Sequence, residues 1–311
     1  MVPVFNRETL IRRCLDSCLS QMRPNVEIVV VDDASTDETV QAIHAIGDLH
    51  IRLFVQDENR GVSAARGRGV REARGPWIAF LDSDDELAEG SLDKLLAAIA
   101  SCPDEFGAIY HREIHDDGSI SPESVVKFGT LYYPDFISLL NLNRHSKRDI
   151  FQCMRASALR EVPWPVGRAP ETEFHLNFIR RFPALFIDDI LYKVHHDADA
   201  RLSLASGLSQ SGGRAETDRL LSLERIIDIH GDALREYGPA MWEHLVANLL
   251  SLELIFGRKA QARDLFSYGF KNGANRFLLI GLYVLGWVGP GATSRLRLIY
   301  KTLKLRAVPK G

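Results

Sequence analysis

The chain has 311 residues, of which 46 % are hydrophobic and 25 % charged, and its formal net charge is -3. This length suits one large domain or one domain with a substantial appendage, and the composition excludes disordered and collagen-like chains. The small net charge argues against nucleic acid as a partner, because neutralising phosphates requires a net or clustered positive field.

The first part of the chain alternates between apolar strands and amphipathic helices. An apolar stripe predicts a helix over Glu8–Gln21, and a β-branched run predicts a buried strand over Val26–Val31. Ser35 and Glu38 have the spacing of a capping box, which predicts the start of the next helix. The later elements are a strand over Ile51–Val55, a helix over Val62–Ala73, a strand over Trp77–Leu81, a helix over Ser91–Ala100 and a strand over Gly107–Glu113. This order predicts a Rossmann-like, doubly wound α/β fold with a mixed, mainly parallel sheet.

Two acidic clusters come directly after predicted strands. Asp32 and Asp33 follow the Val26–Val31 strand. Asp82–Asp85 follow the strand that ends at Leu81. Because ligands of such sheets bind at the carboxyl ends of the strands, we expect both clusters on one rim. Carboxylates at the end of a buried strand are costly unless they bind a cation or a hydrogen-bond donor.

The second cluster has the ligand chemistry of a hard divalent cation. Asp82 and Asp84 stand two positions apart on either side of Ser83. Mg²⁺ is typically held in this way by one or two carboxylates together with the phosphates of a substrate. The alternative is a solvated acidic loop that caps the helix beginning at Ser91.

The first cluster also has two interpretations. Asp32 and Asp33 occupy the last positions of the strand, where a carboxylate can accept a hydrogen bond from a nucleotide base or a ribose hydroxyl. In the alternative, they are turn residues that the dipole of the following helix favours.

An arginine- and glycine-rich segment, Asn59–Gly69, separates the two clusters. It is not a dinucleotide-binding fingerprint, because the third glycine is absent and no strand directly precedes it. Arg66 can pair with a diphosphate through its guanidinium fork. In the alternative it belongs to a solvated helix face, which is the interpretation favoured for Arg68, Arg71 and Arg74.

Four short motifs follow one another in this part of the chain. They are Pro3–Asn6, with the pattern Pro-x-Phe-Asn; Val31–Thr39, with Val-Asp-Asp-x-Ser-x-Asp-x-Thr; Asn59–Arg66, with Asn-x-Gly-x-x-x-Ala-Arg; and Phe80–Asp85, with Phe-Leu-Asp-x-Asp-Asp. Together they resemble the family-2 glycosyltransferases of the GT-A superfamily, most clearly over residues 3–100 and more weakly to about residue 200. The resemblance implies a GT-A fold, a nucleotide-sugar donor and transfer with inversion.

The resemblance also implies a donor site and a metal. The residues expected to bind the nucleotide sugar are Pro3, Phe5, Asp32, Asp33, Arg66, Asp82 and Ser83. Asp84 is expected to ligate the Mg²⁺ or Mn²⁺ that bridges the diphosphate, and Asp82 to contact the metal or the ribose. Such a metal neutralises the leaving diphosphate.

The family further places a catalytic base at the start of a helix and a Tyr-Arg-x-His motif after it. The matching segments here are residues 171–174 and 192–195. Glu173 aligns best with the catalytic Asp of the family, and Glu171 is the second candidate for the base. His195 is expected to approach the metal or the diphosphate. The alternatives are a solvated helix start for the two glutamates and a structural role for the histidine.

The resemblance and the composition together divide the chain into a GT-A domain over residues 1–205, a linker over 206–213 and a helical region over 214–311. The first strand is expected to be short, since only Met1 and Val2 precede Pro3. The linker is Ser- and Gly-rich. Helices are predicted after it over Arg219–His230 and Met241–Phe256.

The C-terminal end combines an apolar run with a basic tail. Phe277–Val288 is shorter than the roughly 20 residues that span a bilayer. The basic residues that follow are Arg295, Arg297, Lys301, Lys304, Arg306 and Lys310. This juxtaposition predicts peripheral attachment to an anionic membrane. The alternative is a core helix followed by a solvated tail.

The N-terminal residues and the cysteines predict the compartment. Met1–Asn6 has neither the basic nor the apolar region of a signal peptide, so we expect a cytoplasmic protein, attached at most to the cytoplasmic face of the inner membrane. Cys14, Cys18, Cys102 and Cys153 have no metal-binding spacing and are expected to be reduced.

The function expected from these features is transfer of a sugar from a nucleotide-diphosphate donor, with UDP favoured, to a polysaccharide, a lipopolysaccharide, a lipid-linked glycan or another glycan acceptor. Two alternatives use the same acidic rim. A nucleotidyltransferase would release pyrophosphate instead of a nucleoside diphosphate. A donor-binding subunit without activity would lack a working base at Glu173.

Overall fold

The computed structural model describes residues 1–143, 152–162, 164, 171–196 and 212–288. Two compact units are present. The first holds Met1–Leu139 and the described residues between 152 and 215. The second holds residues 140–143 and the described residues from Glu216 onward.

The first unit begins with three parallel strands and the helices between them. The strands are β1 (Val2–Val4), β2 (Ile28–Asp32) and β3 (Ile51–Val55), and the helices are α1 (Ile11–Leu19), α2 (Thr39–His44) and α3 (Val62–Glu72). The strands lie side by side in the order β1-β2-β3. Every residue of β2 is buried, as expected for a strand covered on both faces of a parallel sheet.

A larger mixed sheet completes the unit. Its elements are β4 (Trp77–Ala79), β5 (Glu86–Leu87), α4 (Ser91–Ser101), β6 (Ala108–His115), β7 (Ile120–Ser121), β8 (Gly129–Leu131), α5 (Tyr133–Leu142), β9 (Gln152–Arg155), α6 (Ala156–Glu161), α7 (Thr172–Arg181) and β10 (Ala184–Val194). The strand order is β4-β9-β6-β10-β5, with β7 beside β6 and β8 beside β10. Strands β6 and β10 are parallel, whereas β9 is antiparallel to both of its neighbours.

The backbone of Met1 joins the two sheets. Its amino group donates a hydrogen bond to the Ala79 carbonyl at 2.8 Å, and the Leu81 N–H donates to the Met1 carbonyl at 3.1 Å. Strand β1 therefore lies between β2 and the end of β4. The main apolar core extends across this junction and includes Leu15, Val30 and Ile109. The predicted doubly wound α/β fold is confirmed, and β1 is short, as expected.

The start of α2 differs from the prediction. The helix begins at Thr39, after a turn, and not at the predicted capping box. Ser35 does not cap it, because its N–H and hydroxyl both donate to the Asp32 carboxylate. Instead, the Asp37 carboxylate accepts a hydrogen bond from the Thr39 N–H at 3.0 Å. The predicted capping box is wrong because Ser35 bonds to the carboxylate of Asp32, at the end of β2, and not to the helix.

The second unit is helical where the structure describes it. Its helices are α8 (Gly212–Tyr237), α9 (Pro239–Ile255), α10 (Lys259–Lys271) and α11 (Arg276–Val288). Helix α9 is the central one, since it packs against both α10 and α11 and is buried along most of its length. The two predicted helices, Arg219–His230 and Met241–Phe256, are both confirmed. Residues 212 and 213 of the expected linker belong to α8, while 206–211 lie outside the described residues.

Helix α11 combines a buried and an exposed face. Leu279 and Leu282 are buried, and the Tyr283 ring stacks on that of Phe266 with centroids 4.7 Å apart. Ile280 and Val284 are exposed. The apolar run is thus partly core, as the alternative interpretation held. The six basic residues after it lie outside the described residues. Within the described ranges, no helix is both long and apolar enough to cross a membrane.

Gly107 leaves no space for a side chain where β6 begins. A Cβ atom there would lie 2.6 Å from Phe182 Cβ and 2.9 Å from the Phe178 ring. We predict that Gly107→Ala lowers the free energy of unfolding by about 1–3 kcal/mol, the usual cost of overpacking a core. Denaturant unfolding of both proteins measures the difference.

Gly67 provides the matched control in the same unit. Its Cβ would make ordinary contacts, 3.7 Å from Arg71 Nη1 and 3.8 Å from Trp164 Cβ. Because glycine weakens a helix interior, Gly67→Ala should be neutral or stabilising by up to about 1 kcal/mol. Equal stabilities for the two variants would contradict the packing argument.

Candidate functional site

The loop after β1 connects the two acidic clusters. Asn6 donates its N–H to the Ser35 hydroxyl at 2.9 Å and accepts a hydrogen bond from the Thr36 N–H at 2.8 Å. Arg7, the next residue, lies with Nη2 3.4 Å from Asp84 Oδ2. The structure therefore brings the two strand-end motifs to one rim, where the two sheets meet, as expected from the strand ends.

Asp32 is used by the fold. It is fully buried, and its two carboxylate oxygens accept hydrogen bonds from the N–H and the hydroxyl of Ser35, at 2.9 and 2.5 Å. Between them, Ala34 has a φ of 61°, which is the left-handed conformation of a tight turn. These contacts match the turn-forming alternative for Asp32.

Asp33 organises the loop between β3 and α3. Its carboxylate accepts hydrogen bonds from the Arg60 N–H at 2.9 Å, from the Gly61 N–H at 2.7 Å and from Gln56 Nε2 at 2.5 Å. Gly61 has a φ of 88°, a conformation that favours glycine. Asp33 thus fixes the loop that leads into the helix carrying Arg66.

The remaining residues expected near the base lie at the end of β1. Pro3 is buried and pairs with Val31 of β2. Phe5 is half-buried, and its carbonyl accepts a hydrogen bond from Arg7 Nη1 at 3.5 Å. Both residues therefore border the loop that joins the acidic clusters.

Arg66 links two acidic residues that the sequence singles out. Its Nη2 donates to Asp82 Oδ1 at 2.7 Å, and its Nη1 donates to Glu171 Oε1. The guanidinium lies 5.8 Å from the centre of the Trp164 ring, and Arg66 is only 8 % exposed. The solvated-face alternative is therefore wrong for Arg66, because the acidic loop and the start of α7 enclose its side chain.

The loop Asp82–Glu86 concentrates negative charge. Burial and the charge of Asp82 raise the pKa of Asp84, and Arg7 acts against this shift. Burial, followed by the charge of Asp82, raises the pKa of Asp85 to about 8. Ser83 is also buried. Carboxylates held this closely repel one another, so a positive charge bound at the loop would stabilise their ionised forms.

His195 lies at this loop, between two carboxylates. Its Nε2 is 2.5 Å from Glu86 Oε1, and its Nδ1 is 2.8 Å from Asp116 Oδ1. Its backbone N–H donates to Asp85 Oδ1 at 3.0 Å. His195 was predicted from the sequence as a site residue, whereas Glu86 and Asp116 were not. Two signals in the sequence could have indicated them: Glu86 directly follows the acidic run Asp82–Asp85, and Asp116 directly follows a predicted strand.

The two candidate bases differ in what surrounds them. Glu171 accepts the Arg66 hydrogen bond, and burial raises its pKa. His175, one helical turn later, has its Nε2 4.0 Å from Glu171 Oε2, and burial and Arg66 lower its pKa to about 3. Glu173 is half-buried in the first turn of α7. The described contacts thus connect Glu171, the second candidate, to the acidic loop.

The donor set fits a divalent metal that is completed by substrate. Asp82 and Asp84 are the two carboxylates available, and burial followed by the charge of Asp82 raises the pKa of Asp84 although Arg7 acts against the shift. In the part of the chain that the structure describes, no three Asp, Glu, His or Cys side chains form a ready-made metal site. Two carboxylates plus phosphate oxygens are the usual Mg²⁺ arrangement.

The sequence and the fold are similar to those of known proteins. Residues 1–162 match the model of the family described as glycosyl transferase family 2. An uncharacterized glycosyltransferase, EpsJ of Bacillus subtilis, is 28 % identical over 253 residues, which cover 79 % of this chain and 65 % of that protein. An uncharacterized glycosyltransferase of Haemophilus influenzae is 40 % identical over 98 residues, which cover 31 % of this chain and 39 % of that protein. The chain thus spans less than two thirds of the length of these relatives.

Two solved structures share the fold. Staphylococcus aureus TarS 1–349 in complex with UDP-GlcNAc superposes with a TM-score of 0.59 at 18 % identity, covering 94 % of this chain and 88 % of that one. The mannosyltransferase PcManGT from Pyrobaculum calidifontis, in complex with GDP-Man and Mn²⁺, gives 0.54 at 16 % identity, covering 98 % and 86 %. The GT-A-type fold expected from the sequence is confirmed.

The contacts of Asp33 generate a local prediction. Asp33→Asn keeps an oxygen that can still accept from Gln56 and the Arg60 N–H, but its NH₂ group cannot accept the Gly61 N–H, which bonds to the other carboxylate oxygen. A hydrogen bond to a charged group contributes about 1.5–3 kcal/mol, so the Gly61 amide should exchange with solvent roughly tenfold to a hundredfold faster, and the Arg60 amide should change less. Amide hydrogen exchange at both residues measures this.

Asp37→Asn is the control for this experiment. Asp37 accepts the Thr39 N–H in the same way but at the start of α2. It should leave the exchange of the Arg60 and Gly61 amides unchanged. Unchanged exchange in Asp33→Asn would mean that the loop keeps its conformation without the carboxylate.

Proposed function

Because the chain belongs to glycosyl transferase family 2, we propose that it transfers a sugar from a nucleotide-diphosphate donor to a glycan or lipid-linked acceptor, with inversion. The observation that carries the proposal is the double ion pair of Arg66, which joins Asp82 on the donor side to Glu171 on the acceptor side. The buried Arg66 side chain thereby holds the candidate metal ligand Asp82 close to the candidate base Glu171.

The proposed donor is a UDP-sugar. Pro3, Phe5 and the loop fixed by Asp33 border the rim where the base and ribose would bind. The TarS structure with UDP-GlcNAc supports UDP, while the PcManGT structure with GDP-Man makes GDP the rival nucleotide. Binding of UDP and GDP to the protein, each with Mn²⁺, separates the two.

The proposed metal is Mg²⁺ or Mn²⁺, held by Asp84 with Asp82 beside it. When bound, such a cation supplies positive charge that stabilises the leaving diphosphate. His195 borders the same loop, because its backbone N–H donates to Asp85 and its Nε2 contacts Glu86. We propose that it approaches the metal or the diphosphate from this position. The raised pKa of Asp84, due first to burial, supports a requirement for a cation at this carboxylate.

The proposed base is Glu171, which would accept the proton of the attacking acceptor hydroxyl. Burial raises its pKa, and a carboxylate with a raised pKa is a stronger base. Its ion pair with Arg66 fixes one oxygen and orients the other. Glu173, which aligns better with the family pattern, lies two residues further along α7.

Glu171→Gln and Glu173→Gln form a matched pair of variants. We predict that Glu171→Gln lowers kcat by about a hundredfold or more, because a positioned base contributes roughly 10²–10⁴-fold, while donor binding is retained. Glu173→Gln should change kcat by much less. The release of nucleoside diphosphate from the donor measures both. The opposite ranking would make Glu173 the base, and an inactive wild-type protein that still binds donor would support the alternative of a donor-binding subunit.

Asp84→Asn tests the metal ligand. The variant should fold normally and lose metal-dependent turnover by orders of magnitude, as should the wild-type protein after treatment with a chelator. Near-normal turnover of a folded Asp84→Asn protein would contradict this assignment. Product analysis adds a second test, since release of pyrophosphate from a nucleoside triphosphate would indicate a nucleotidyltransferase.

The basic C-terminal tail supports attachment to the cytoplasmic face of an anionic membrane. Leu279 and Leu282 are core residues, so the informative truncation ends after Val288 and removes the six basic residues. We predict that this truncated protein folds normally but no longer co-sediments with phosphatidylglycerol vesicles at low salt, since each basic residue contributes about 1 kcal/mol. Neutral phosphatidylcholine vesicles are the control. Failure of the full chain to bind anionic vesicles would contradict the membrane proposal.

A further inference from the structure

Arg7 forms an unusual contact with the candidate metal ligand. Its Nη2 lies 3.4 Å from Asp84 Oδ2, and its side chain is 11 % exposed. Nη1 donates to the Asn6 carbonyl at 3.2 Å, and the Arg7 N–H donates to the Thr39 hydroxyl at 2.7 Å. The guanidinium is therefore held at the acidic loop by the backbone that connects the two clusters.

Two further arginines bond to the same loop. Asp82, its near neighbour, is engaged by Arg66. Arg13 donates to the backbone carbonyl of Asp84 at 2.5 Å. In the described contacts, the cation that faces the Asp84 side chain is Arg7. Burying a carboxylate without such a partner costs free energy, so Arg7 stabilises the loop when no metal is bound.

We propose that Arg7 is a resident counter-ion of Asp84, which an incoming divalent metal displaces and which then binds the donor diphosphate. This inference rests on the proposed function. Two cations compete for one carboxylate oxygen, so metal binding weakens the contact between Arg7 and Asp84. The displaced guanidinium stays tethered to the Asn6 carbonyl, at the rim where the phosphates would lie, and its fork suits phosphate oxygens.

If Arg7 moves from Asp84 to the diphosphate in this way, its removal should change the metal affinity and the nucleotide affinity in opposite directions. Without Arg7, the metal no longer competes with this guanidinium, so the donor-free protein should bind metal more tightly. With metal already bound, the diphosphate loses a partner, so the nucleotide should bind more weakly. A merely structural role for Arg7 would weaken both kinds of binding, because a distorted loop presents Asp84 poorly to the metal as well.

Arg7→Gln tests the exchange with two binding measurements at constant ionic strength. Mn²⁺ binding to the donor-free full chain, followed by electron paramagnetic resonance, should tighten about fivefold, the factor that two unit charges roughly 4 Å apart produce in water. UDP binding at saturating Mn²⁺, measured by calorimetry, should weaken about tenfold. Neither readout depends on turnover.

Two further variants complete the design. Arg12→Gln removes the same charge from an exposed side chain that pairs with Asp16, and it should leave both affinities unchanged. Arg7→Lys keeps the charge on a side chain that lacks the fork, so it should keep wild-type Mn²⁺ affinity while weakening UDP binding. The Lys variant therefore tests the proposal even where Arg7→Gln fails to fold.

The outcomes separate this inference from the proposed function. Weaker Mn²⁺ binding in Arg7→Gln, or the same change in Arg12→Gln, would overturn the counter-ion role. Unchanged UDP affinity in both Arg7 variants would overturn the transfer to the diphosphate. In these cases the wild-type protein still binds Mn²⁺ and UDP, and the proposed function stands. A wild-type protein that binds neither would overturn both.

Discussion

The buried guanidinium of Arg66 holds together three parts of the first unit. Its partners Asp82 and Glu171 lie 16 and 105 residues away in the sequence, in the loop after β4 and at the start of α7. Removing one member of a buried ion pair typically costs about 3–5 kcal/mol, because the remaining charge stays buried. The contact that aligns the candidate site is therefore also one of the contacts that holds the fold around it.

Arginine side chains also neutralise partly buried acids on the rim. The loop after β4 carries more carboxylates than its surroundings can solvate, and the raised pKa of Asp85, about 8 through burial and the charge of Asp82, reflects that excess. Arg66 and Arg7 compensate two of these acids through their side chains. A partly buried acidic loop of this kind is thus unfavourable by itself, and the protein lowers this cost with its own cations.

Local pattern predicted most of the first unit but few of its long-range contacts. Strand β3 was predicted residue for residue, and both acidic clusters lie where their strands end, because buried β-branched runs and polar turns are local signals. The capping box failed because Ser35 bonds to Asp32, and the contact of Glu171 with Arg66 has no local signature. Partners a hundred residues apart are set by tertiary packing, which periodicity does not report.

The position of β1 has a consequence for synthesis on the ribosome. The strand leaves the ribosome before both of its neighbours, yet it pairs with β2 and, through Met1, with residues 79 and 81. Until that later segment emerges, the nascent chain displays an open strand edge beside the apolar side chains of Val2 and Val4. Such edges recruit other chains, so a pause in translation before residues 79–81 have emerged would leave the polypeptide in an aggregation-prone state.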